Sequence, residues 1–154
     1  MRSLFLIYEP IDYLYNMEIK EREILIQEDY LDDSWKMLVC CILLNQTNNK
    51  QVRPILSSVF NLIPNPMSAS KVDVEVLAQV IKTTGFQNIK ASRIKKLSQK
   101  WVDGFSSVSD LPGIGRYGLD SWRIFVEGDL TIPTQDKKLG TYLEEVNRNH
   151  KFKK

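Results

Sequence analysis

Residues 111–136 read LPGIGRYGLDSWRIFVEGDLTIPTQD, and the rest of the chain arranges itself around this stretch. Leu111-Pro112-Gly113-Ile114-Gly115 opens it with a turn that its glycines make tight. The amphipathic run from Arg116 to Val126 follows, so the backbone N–H groups of the turn stand at a helix N-terminus. Free N–H groups and the positive end of a helix dipole make an anion site suited to a phosphate. A loop with Gly128 and Pro133 then delivers Asp136 into a basic setting, Asp136-Lys137-Lys138. A Gly-x-Gly turn alone is common, and by itself this one also reads as an ordinary helix start.

Outward from that stretch the chain reads as helical. Asp32-Asp33-Ser34 signals a helix start, and Trp35 to Leu44 is apolar on every side, which places it at the centre of a helical domain. A polar loop, residues 45–49, ends it. Lys50 to Leu62 carries Val52, Ile55, Leu56, Val59 and Phe60 on one face, with Pro54 expected near its first turn. Pro64-Asn65-Pro66 breaks the chain, and Ser68 to Ser70 offer caps for a helix over 72–81 with Val76, Leu77, Val80 and Ile81 inward. Lys90 to Val102 is amphipathic, with Ile94, Leu97 and Trp101 inward and its lysines outward. Glu21 to Tyr30 and Lys137 to Asn147 have helical spacing too. Period-2 alternation is scarce, so the class is all-α. The expected organisation is an N-terminal arm or helix over 1–20 and a single helical domain over 21–154.

The bulk numbers bound the function. The chain has 154 residues, a net charge of +2 and 43% hydrophobic residues, ordinary for a globular protein with a real core. Its basic residues are uneven: Lys90, Arg93, Lys95, Lys96 and Lys100 fall in one segment. Cys40 and Cys41 are the only cysteines, and neighbours on a helix point about 100° apart, so they read as buried thiols rather than a disulfide or metal pair. A structural zinc or iron–sulfur cluster needs more ligands than the sequence supplies. The apolar start MRSLFLIYEP is interrupted by Glu9 and Asp12, too soon for a signal peptide or membrane span. An intracellular protein with no membrane partner is expected.

Several stretches together resemble the helix-hairpin-helix DNA glycosylases of the endonuclease III superfamily: Leu111 to Arg116 with Asp136 beyond it, Leu43-Leu44-Asn45-Gln46-Thr47, and Gly85-Phe86-Gln87-Asn88-Ile89-Lys90-Ala91. Leu25-Ile26-Gln27-Glu28, Asp33 to Leu38 and Gly115 to Phe125 are closest to one branch, the glycosylase domain of the methyl-CpG-binding thymine glycosylases. The resemblance implies a helix-hairpin-helix glycosylase fold without the iron–sulfur cluster, and a monomer acting on double-stranded DNA to start base excision repair, in the nucleus or, in a cell lacking one, the nucleoid. It also implies no cofactor, with room for a monovalent cation at the hairpin when DNA is bound.

The resemblance assigns roles as well. Gly113, Ile114, Gly115, Arg116 and Lys138 would hold the DNA backbone. Phe86 would intercalate and Gln46 would fill the space of the extruded base, though alone they read as a core aromatic and a solvated loop residue. Gln27, Ile26 and Tyr117 would bind a flipped thymine or uracil; Gln27 alone reads as a surface helix residue. Asp136 would be the catalytic carboxylate, with Tyr117 the other catalytic residue, and Asp136 reads also as the N-cap of the following helix. Asp120 is a rival acid, but it lies in the helix after the hairpin and reads better as a structural or partner-orienting group. Bifunctional members hold a lysine where this chain has Tyr117, so the resemblance implies a monofunctional enzyme that cannot form a Schiff base. The chain departs from the pattern at Ile132-Pro133-Thr134-Gln135 before the aspartate, and at Gln46, where the thymine branch has arginine. A base-modifying relative or a non-catalytic DNA-binding module are the alternatives.

Overall fold

The structure, a computed structural model, describes residues 22–152. The arm expected over 1–20 lies outside them, as do Lys153 and Lys154. Every regular element among the described residues is helical. By contact the described residues form two units: Leu25–Ile132, and a second joining 22–24 with 133–152.

In the first unit the apolar run folds as α1 (Ser34–Leu43), capped by Asp33, whose carboxylate accepts from the Lys36 N–H at 3.0 Å. Eight of its ten residues are buried, among them Trp35, Leu38, Val39 and Leu43, so the hydrophobic effect acts on nearly its whole circumference. Cys40 and Cys41 are buried and free, and burial pushes the Cys40 thiol well above its usual range. Trp35 reaches through the core to donate to Ser98 Oγ at 3.0 Å.

The helix expected over 50–62 is interrupted. Pro54 lacks an N–H, and it sits inside the segment rather than at its first turn. The result is α2 (Asn49–Val52), a 3-10 turn at Arg53–Ile55, and α3 (Leu56–Leu62). The cap of α4 (Pro66–Ser70) is Asn65, with Ser68 inside the helix completing a reciprocal capping box. Helix α5 (Val74–Ile81) starts after Asp73 and buries Leu77, Ala78 and Ile81, leaving Val76 exposed instead of inward. The segment expected as a helix over 21–30 turns only at Ile26–Tyr30, as a 3-10 helix.

The longest helix of this unit, α6 (Gln87–Asp103), packs on α4 and α5 and touches α1. A 3-10 turn at Val108–Asp110 leads into the hairpin, and α7 (Arg116–Phe125) follows against α1. Trp101, Phe105 and Trp122 meet with ring centroids 4.9 to 6.4 Å apart, fixing the C-terminal end of α6 beside α7. In the second unit, α8 (Lys137–Phe152) outlasts its expected end at Asn147. Arg22 lies over the Tyr142 ring and donates to Glu145 at 2.8 Å.

Candidate DNA interface and base pocket

The hairpin is built as its sequence demands. Gly113 has φ +78, and a Cβ there would stand 3.0 Å from Arg93 Cβ. Gly118 admits Ile114, whose Cγ2 lies 2.9 Å from where a Cβ would be. Ile114 is thereby wedged beneath the first turn of α7. No side chain caps that helix at Gly115, and Gly113, Gly115 and Arg116 are exposed. Its first N–H groups have no intrahelical acceptors, leaving a cradle for an anion. Arg116 leans back onto Asp120, Nε to Oδ1 at 3.2 Å, and Asp120 is buried, in keeping with a structural acid.

Two non-glycine residues among the described ones have positive φ: Gln46 (φ 56) and Phe86 (φ 49). Such a backbone costs of order 1–3 kcal/mol and persists only where its surroundings enforce it. Both are exposed, Phe86 by 55%, and Phe86 sits immediately before α6. Neither side chain therefore belongs to the core. Lys90, expected outward, is found buried near both. Its ammonium donates at 2.8 Å to Leu43 O, the end of α1, and at 2.8 Å to Thr84 O, just before Gly85. One lysine thus ties the roots of both loops, and its burial lowers its pKa from the ordinary lysine value.

The 3-10 turn at 26–30 presents Gln27 to α7. Gln27 is fully buried, and its Nε2 donates to Tyr117 Oη at 2.6 Å and to Ser121 Oγ at 3.1 Å. Tyr117 and Ser121 share a helix face because they are four apart. That spacing was the available signal for Ser121, which sequence reasoning missed. Gln27 Oε1, by contrast, is buried with no hydrogen-bond partner. Leaving such an acceptor unsatisfied costs about 1–3 kcal/mol, which marks it as a group awaiting a donor. Ile26 puts its side chain into the hydrophobic core, so any contact of its own with a ligand falls to its backbone.

Asp136 belongs to the other unit. Its Oδ1 accepts from the Leu139 N–H at 2.9 Å, so it does cap α8. Lys138 pairs with Glu23 at 3.0 Å, both about half exposed, an arrangement of low strength.

Sequence comparison agrees with this geometry. The profile described as HhH-GPD superfamily base excision DNA repair protein matches residues 39–153. The chain belongs to the HhH-GPD superfamily. It is 32% identical over 130 residues to a methyl-CpG-binding domain protein 4-like protein of Arabidopsis thaliana, covering 83% of this chain and 29% of that protein. It is 31% identical over 93 residues to a thymine/uracil-DNA glycosylase of Pyrobaculum aerophilum, covering 55% of this chain and 40% of that one. The chain thus spans well under half the length of either relative. Membership accounts for the hairpin and makes DNA repair the setting of the chain. No helix among the described residues is long and apolar enough to cross a membrane.

Proposed function

We propose that the chain is a monofunctional DNA glycosylase that flips thymine or uracil out of a mismatched duplex and hydrolyses its N-glycosidic bond. The observation that carries this reading is the buried, unpartnered Gln27 Oε1 beside the Tyr117 and Ser121 hydroxyls. Thymine and uracil offer an imide N3–H flanked by carbonyls. The N–H would donate to Oε1, and a neighbouring carbonyl would accept from one of the hydroxyls. The Pyrobaculum aerophilum relative is named for the same two bases, thymine and uracil.

A base inside a duplex is out of reach, so the nucleotide must be extruded at a cost of a few kcal/mol, least at a mismatch. Phe86 would enter the stack and Gln46 the vacated space. Breaking the bond from C1′ to the base sends its electron pair to the leaving nitrogen and builds positive charge on the sugar. Asp136 would stabilise that charge and take a proton from the water whose oxygen bonds to C1′. Tyr117 has no amine with which to attack the sugar, so the product is an intact abasic strand.

Duplexes carrying G:T, G:U or 5-hydroxymethyluracil, incubated with protein and then cleaved with alkali, test this. Strand scission is expected only after alkali, and it should vanish in Asp136→Asn while DNA binding remains. Uncleaved strands in every duplex would sink the proposal. Covalent trapping by borohydride would refute the monofunctional assignment.

A further inference from the structure

The outer face of α6 carries a pattern the base pocket does not use. Ile89, Arg93, Lys96 and Lys100 follow one another at spacings of four, three and four, and on a helix they occupy a single arc of about 60°. All four are exposed, Ile89 by 51% although it is apolar. Phe86, equally exposed, stands at the head of the row, and Asp103 ends it. None of the three cations has an ion-pair partner among the described residues. Like charges at such spacings destabilise a helix by a few tenths of a kcal/mol per pair, so this face is better off against a polyanion than against water.

Arg93 supplies the second observation. Its Cβ lies 3.0 Å from where Gly113 would carry one, so the row passes directly under the hairpin cradle. Apolar residues at the head, cations behind them and a phosphate cradle alongside all lie on one continuous surface.

We propose that this face of α6 is a track for the DNA backbone, extending the interface beyond the extruded base. Phe86 and Ile89 form a two-residue apolar wedge, Arg93 joins the hairpin at its phosphate, and Lys96 and Lys100 hold flanking phosphates. At 1.5 Å per residue Lys96 and Lys100 stand about 15 and 21 Å along the helix from Phe86, a reach of roughly four to six base pairs at 3.4 Å each. The proposal rests on duplex DNA being the partner, as the proposed glycosylase activity requires.

The test is a salt series of binding to a G:U duplex, read by fluorescence anisotropy, for the parent, Lys96→Gln/Lys100→Gln and the off-row control Lys95→Gln. Each lost phosphate contact should reduce the slope of log K against log salt by about 0.9. The double variant should therefore lose close to two units of slope, on matched and mismatched duplexes alike, and the control almost none. Shortening one of the two duplex arms to about three base pairs should erase the difference between parent and double variant. An unchanged slope in the double variant, with a parent that excises uracil, overturns the track. A reduced slope with no excision by either protein overturns the glycosylase reading and leaves the track standing.

Discussion

Replacing Lys90 by methionine keeps the length of the side chain and removes its ammonium, so the two carbonyls it serves lose their donor. Leu43 O and Thr84 O each accept from it at 2.8 Å. An orphaned buried carbonyl costs about 1–3 kcal/mol, and both belong to helical segment ends, where a cation also offsets the dipole. Relief from no longer holding a cation away from water, visible in the lowered pKa of Lys90, offsets part of the loss. A net destabilisation of about 2–3 kcal/mol follows, or roughly 5–10 °C in Tm for a chain of this size. The local effect should exceed the global one, because the same bonds anchor the segments from which Gln46 and Phe86 project. Calorimetry gives the global term. Hydrogen exchange at residues 44–47 and 84–87 gives the local one, and 2-aminopurine fluorescence in a mismatched duplex reports base extrusion. Equal melting temperature, equal exchange in both loops and undiminished extrusion in Lys90→Met would show that Lys90 holds neither loop.

Gly118→Ala should cost about 1–3 kcal/mol, since the new Cβ would meet Ile114 Cγ2 at 2.9 Å. Adding Ile114→Ala should recover part of the stability by thermal melting but not the DNA affinity, because the hairpin loses its wedge. Tyr30 makes an alkaline prediction: burial pushes its pKa from 10.0 up to about 12. Between those values the unfolded chain releases the proton and the folded chain keeps it, so stability falls as pH rises from about 10 to 12. Tyr30→Phe should flatten that fall in melting temperature and remove one tyrosine titrating near pH 12 in the ultraviolet. Lys90 acts with the opposite sign, its lowered pKa favouring folding as pH rises toward the ordinary lysine value.

The elements legible in sequence are those whose signal is local. An unbroken apolar run gives α1, Asp33 caps it, and the glycine turn gives the hairpin, because each follows from a few adjacent residues. Long-range partners decide what was not legible. Lys90 falls in a basic helix and reads as solvated; only the carbonyls at Leu43 and Thr84, brought to it from elsewhere in the chain, make it a buried strut. Val76 and Ala78 exchange roles because the inward face of α5 is chosen by α3 and α6, not by side-chain size alone. Gln27 reads as a surface residue from its neighbours, and is buried because α7 packs against the 3-10 turn that carries it. Pro54 has a permitted position at a helix start, so its placement inside the segment could not be told from spacing. Within the candidate site, Gln27 and Tyr117 are brought together, while Ser121 emerges only with the helix face it shares with Tyr117.

The unpartnered Gln27 oxygen has a consequence for how this protein varies. A folded chain with a buried acceptor left idle is short of its own stability optimum, and a side chain that dropped the acceptor while keeping a donor for the Tyr117 and Ser121 hydroxyls would relieve that local deficit. Selection for thermal tolerance alone would therefore push position 27 toward residues that cannot receive a hydrogen bond. In a stability screen of random variants, a replacement at Gln27 that keeps the donor, drops the acceptor and survives heating is the signature of a chain that has traded recognition for rigidity.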